Sequence, residues 1–147
     1  MVPNDATGRP ILLATMGVPF DEAAAVFAVD SAVESGQPLI VVNVTRLEPL
    51  SLSLLMGYDA LEEFTPDVSA SSRRSAELAA SLGVEVERLR VRSPRPVTAL
   101  LELAVERHPG LLVFGPERDA MGTRRYARVA ERLRSSCTCL LWFSKAG

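Results

Sequence analysis

The sequence has a single histidine, His108, so it cannot build a histidine cluster for zinc. Its only cysteines, Cys137 and Cys139, stand two apart, a spacing poorly suited to a mutual disulfide. The pair is also too sparse for a metal site, and the two read as small apolar residues of a cytosolic protein. No apolar run approaches the roughly 20 residues of a membrane helix. The first residues lack a basic segment followed by an apolar stretch, so no secretory leader is expected and a cytoplasmic location is. Charge of one sign is missing too: the net charge is −2, which gives no support to general nucleic-acid binding. There is no Gly-x-Ser-x-Gly elbow, no phosphate-binding Walker loop and no Cys-x-x-Cys pair. Glu62-Glu63 reads as a solvated carboxylate pair, and no nucleophile–base set can be named, so the chain is not expected to be an enzyme.

What is present is a globular composition, 48% apolar over 147 residues, the size of one domain. Residues 1–10 are polar and rich in proline and glycine, and are expected to form a tail ahead of a domain over 11–147. Ile11 to Thr15, Leu39 to Val44 and Leu111 to Phe114 are short apolar runs, the pattern of strands buried on both faces. Val84 to Val91 alternates apolar and charged residues, as a half-exposed edge strand does. A last strand is expected over Thr138 to Phe143. Between these runs lie helical patterns over Asp21 to Ser35, Val68 to Leu82, Val97 to His108 and Thr123 to Arg134, with Gly36 and Gly83 as stops. Arg46 to Pro66 follows no clear period and reads as an irregular excursion. Alternating strands and helices argue for an α/β domain with one open, doubly wound parallel sheet.

Such sheets place ligands beyond the carboxyl ends of their strands, where the strand order reverses. Two loops are therefore candidates: Thr15-Met16-Gly17-Val18 after the first strand, and Gly115-Pro116-Glu117-Arg118 after the fourth. Gly115 has two readings. It either lets backbone approach a phosphate or simply ends a buried strand before a turn. The span from Arg118 to Arg134 holds six arginines against Asp119 and Glu131, an excess that suits a solvated helix face.

From Ile11 to Phe143 the chain resembles the universal stress protein family. The resemblance is carried by Ile11-Leu12-Leu13-Ala14-Thr15, by Leu39 to Val44 with Asn43-Val44 at its end, and by Leu111 to Gly115. It continues in Ala130-Glu131-Arg132-Leu133 and Cys139-Leu140-Leu141-Trp142. It implies a five-stranded sheet of order 3-2-1-4-5 with helices on both faces, an adenine-nucleotide α-hydrolase-like fold. Nucleotide-binding members carry an aspartate after the first strand, then Gly-x-x-Gly and, further on, Gly-Ser or Gly-Thr. Here Met16 stands at the aspartate, Gly115 keeps the first glycine and Arg118 replaces the second. The last pair falls on Ala127-Arg128 or on Arg128-Val129. The implied pocket thus comprises Thr15, Met16, Gly17, Val44, Gly115, Arg118, Ala127, Arg128 and Val129, in degenerate form. A methionine offers no carboxylate acceptors, and an arginine side chain fills space left for phosphate.

The expected function is that of a noncatalytic stress-response or regulatory protein without a cofactor, acting through dimerisation and contacts with a protein partner. The alternative is a nucleotide-binding module using the degenerate adenosine-phosphate pocket. Neither nucleic acid nor membrane is an expected partner. The resemblance also implies a homodimer formed through Cys139, Leu140, Leu141, Trp142 and Phe143, with Trp142 or Leu140 buried by the second copy.

Overall fold

The sheet is built from the apolar runs in order. Strand β1 (Ile11–Thr15) lies between β2 (Leu39–Arg46) and β4 (Leu111–Phe114), with β3 (Val86–Ser93) and β5 (Leu140–Phe143) at the two edges. All four pairings are parallel, giving the order 3-2-1-4-5. In this computed structural model the described residues are 9–47 and 66–144. Most of the excursion expected over Arg46 to Pro66, and the tail over 1–8, lie outside them. Arg46 ends β2, and Pro66 opens a helix.

Alternate residues of each central strand feed two cores. Leu12, Ala14, Ile40, Val42, Leu112 and Phe114 face helices α3 (Pro96–Arg107) and α5 (Thr123–Ser136). Ile11, Leu13, Leu39, Val41 and Val113 face α1 (Glu22–Ser35) and α2 (Pro66–Ser81). Every residue of β1 is buried, which is why its run carries no polar alternation. At the edge, β3 keeps only Val86, Leu89, Val91 and Ser93 half-buried, and its charged residues face solvent.

Helix ends follow local chemistry. Asp21 caps α1 by accepting the Ala24 N–H at 3.0 Å. Gly36 closes it in the left-handed region, φ 70°, with Gln37 N–H reaching Ala32 O at 3.1 Å. The same double turn ends α2. There Val84 N–H donates to Ala79 O and Gly83 N–H to Ala80 O, both at 3.0 Å. That turn takes up Val84, so β3 begins at Val86 and runs on to Ser93, two residues later at each end than its alternation predicts. Likewise α5 extends to Ser136, and Cys137 caps it, which delays the last strand from Thr138 to Leu140. A short helix unforeseen in the sequence, α4 (Arg118–Met121), separates β4 from α5, with Gly122 at φ 94° as the joint.

Candidate functional site

The strand order reverses between β1 and β4, so the loops after these strands frame the switch point. They are stitched together by backbone. Phe20 and Pro116 form an antiparallel bridge, with Asp21 N–H donating to Gly115 O at 2.8 Å and Glu117 N–H to Pro19 O at 2.9 Å. Gly115 N–H donates to Ala14 O at 2.8 Å, continuing the ladder. The first loop is also held from within. Thr15 Oγ1 donates to Val18 O at 2.7 Å, and Gly17, at φ 77°, donates its N–H to Asn43 Oδ1 at 2.8 Å.

Met16 does not line a polar cleft. Its side chain is 1% exposed and sits in the core shared with Val44, Phe114, Met121 and Tyr126. Thr15 and Val44 are buried as well. Gly115 is required by contact: a Cβ there would meet Ala24 Cβ of α1 at 2.8 Å and Leu13 Cδ1 at 3.3 Å. Close approach of α1 is a reason for glycine that neither sequence reading gave. The Gly115 and Glu117 N–H groups, which a phosphate-cradling loop would present, are occupied by backbone carbonyls.

Above this floor, the Arg118 guanidinium stacks on the Tyr126 ring, 4.1 Å from its centroid. Arg125 Nη2 donates to Met16 O at 3.4 Å. Tyr126 Oη donates to Ser144 O at 2.8 Å. Ser144 Oγ in turn donates to Pro116 O at 2.9 Å and lies 3.1 Å from Tyr126 Oη. Burial pushes the Tyr126 hydroxyl above the usual phenol range, opposed by its bond to Ser144 and by the nearby Arg118 charge. This knot ties the carboxyl ends of β4 and β5 to α5.

Ala127 and Arg128 stand apart from it. They lie in the second turn of α5, exposed, and share a shallow surface depression with Arg124 and Glu131. Inside a helix their N–H groups point to carbonyls of the preceding turn, so they cannot repeat the role of a loop pair. Val129 turns the other way, into the core. The structure thus brings Thr15, Met16, Gly17, Val44, Gly115 and Arg118 to one end of the sheet, and separates Ala127 and Arg128 from them. Sequence reading missed Met121, Asn43 and Ser144 in this assembly.

At the edge strand, Leu141 and Phe143 pack on the α3–α5 core. Trp142 stacks on Phe27 of α1, centroids 4.7 Å apart. Leu140 is 73% exposed and Cys139 half-buried. Of the two residues expected to meet a second copy, Leu140 faces out and Trp142 serves its own core.

These features define an open α/β protein of the adenine-nucleotide α-hydrolase-like class, with Met16 packed in the core at its switch point. The family model described as the universal stress protein family matches residues 8–145, and the chain belongs to that family. Among solved structures it is similar to a universal stress protein from Archaeoglobus fulgidus in complex with dAMP, at 18% identity and TM-score 0.66, covering 95% of this chain and 99% of that one. It is similar to a universal stress protein in complex with cAMP, at 17% identity and TM-score 0.63, covering 96% and 99%. An Arabidopsis thaliana family member with AMP bound gives 12% identity and TM-score 0.58, covering 95% and 92%. No curated protein matches the chain.

Proposed function

We propose that this chain is a noncatalytic regulatory universal stress protein that works in the cytoplasm through self-association and partner contacts and holds no ATP at its switch point. The observation that carries this reading is the burial of Met16 at the position where nucleotide-binding members place an aspartate. Two further features support it. Gly115 and Glu117 direct their N–H groups to backbone carbonyls, and Ala127-Arg128 lie within a helix. Self-association would use the edge of β5, where Leu140 presents an apolar side chain beside unpaired strand backbone.

Titration calorimetry with ATP and magnesium tests the reading. The expected result is no saturable heat. A dissociation constant of about 1 μM or tighter, roughly −8 kcal/mol, overturns it. A second reading, an adenosine-monophosphate module, is favoured by the relatives in complex with dAMP and cAMP and with AMP bound. Arms with AMP and cAMP in the same titration separate the two.

A further inference from the structure

Five arginines lie on α5 against Glu131 as its one acid, although the chain as a whole carries a net charge of −2. Three of the five are used within the fold. Arg125 donates to Met16 O, and Arg132 Nη2 donates to Thr98 Oγ1 of α3 at 3.1 Å. The Arg134 guanidinium lies 4.5 Å from the centroid of the Phe143 ring. Arg124 and Arg128 have no such use. Both are exposed, and among the described residues neither side chain makes a hydrogen bond, an ion pair or a ring contact. Glu131 is exposed as well and makes no ion pair with them. For the isolated domain this placement is unfavourable. Arg124 and Arg125 stand in the first turn of α5, at the positive end of the helix dipole, where there is no acid and no side-chain cap. Arg124 and Arg128 are also one helical turn apart, and like charges at that spacing repel.

We propose that this face of α5 is a docking surface for a carboxylate-rich segment of a partner protein. The inference rests on the reading that the chain works through partner contacts, and it gives those contacts a surface. Arg124 and Arg128 line one shallow depression with Ala127 and Glu131. A guanidinium presents its donors in a planar fork that matches a carboxylate. One helical turn sets the two forks about 6 Å apart along the axis, close to the spacing of alternate residues in an extended segment. A Glu-x-Glu or Asp-x-Asp stretch can therefore engage both. A membrane surface calls for large apolar side chains, and beside the two arginines the depression offers only Ala127. A nucleic-acid strand calls for aromatic platforms and a basic groove. Tyr126, the one aromatic residue of α5, is buried, and the chain outside α5 is acid-rich.

Fluorescence anisotropy of the full chain with a short labelled peptide of alternating glutamate and serine tests the proposal. Saturable binding is expected, weakening as salt is raised, and the same peptide with glutamine for glutamate should not bind. Arg124→Glu combined with Arg128→Glu should weaken binding by about tenfold or more. Arg73→Glu combined with Arg74→Glu, the same charge reversal at exposed positions of α2, should bind as the parent does. Arg124→Glu alone should raise the urea midpoint, because it replaces a cation with an acid in the first turn of α5. Calorimetry with nucleotides reads the switch point and not this face, so the two readings can fail separately. Absence of binding by the parent overturns the proposal, as does an equal loss in the α2 variant. Tighter binding of an oligothymidylate of equal charge, or of phosphatidylserine vesicles, also overturns it. So does a lowered midpoint in Arg124→Glu, which assigns that arginine to the fold.

Discussion

At the carboxyl end of the sheet the loops after β1 and β4 are sewn to each other, and Met16, Val44, Phe114 and Met121 pack beneath them. At the amino end the joints stand apart around cavities, one lined by the thiols and His108, others by Gly36 to Pro38 with Gly83 to Glu85 and by Pro10 with Glu106 and Arg107. Pro10, Pro38 and Pro109 each sit at or just before the start of a strand. A proline has no N–H to donate. Pro38 O accepts from Ile11, Pro10 O from Gly110 and Glu85 O from Leu39, single bonds that no proline N–H can return. Among the described residues, then, the loops after β1 and β4 are tied to each other by backbone, and the joints at the amino end border recesses.

The sharpest way to break this contrast is to put back a carboxylate. Met16→Asp removes a buried side chain and buries a charge in its place, and should cost about 3–5 kcal/mol in urea unfolding. A variant as stable as the parent would mean that Met16 is not packed in the core. Next in size is Gly115→Ala, which forces a Cβ against Ala24 Cβ. It should cost about 1–3 kcal/mol by thermal or urea unfolding. Adding Ala24→Gly should return part of that loss, because the tighter of the two contacts disappears.

Tyr126→Phe should cost about 1 kcal/mol, since it leaves the buried Ser144 carbonyl without its donor. It should also change the alkaline limb of the stability profile. Tyr126 has its folded pKa raised, so its contribution is fully present below the ordinary phenol pKa and is lost as pH rises through the folded value. The variant's stability should therefore fall less steeply there, which urea midpoints across alkaline pH will show. The smallest effect on folding belongs to the amino end. Leu140→Arg at the exposed start of β5 should move stability by no more than about 0.5 kcal/mol. Sedimentation should nonetheless shift from dimer to monomer. A monomeric parent at micromolar concentration would remove the proposed interface.

Much of the architecture was readable in advance because it depends on neighbours in the chain. The apolar runs at Ile11 to Thr15, Leu39 to Val44 and Leu111 to Phe114 each became a central strand, since a run without polar alternation is stable only when both faces are covered. Gly36 and Gly83 ended their helices in the left-handed region, a conformation that glycine adopts without a Cβ penalty. Strand boundaries were off by two residues where a helix-ending turn or a longer helix claimed the same segment, at Val84 and at Thr138 and Cys139. The missing aspartate and the missing second glycine were also plain from residue identity alone.

What residue identity could not supply is which partner each side chain meets. For Gly115 the sequence offered a phosphate-loop glycine or a strand-ending one, and only the fold shows that α1 brings Ala24 within 2.8 Å of where its Cβ would be. Phe27 stacks on Trp142, a residue expected at the interface with a second copy, and Ser144 meets the Tyr126 hydroxyl. By itself the sequence determined the elements, their parallel pairing and the loss of the nucleotide motif, because periodicity and residue type act over a few residues. Only the tertiary structure decided that Met16 turns into the core and that Cys137, Cys139 and His108 line one cavity. Those outcomes depend on close approach between segments distant along the chain, and local pattern carries no information about that distance.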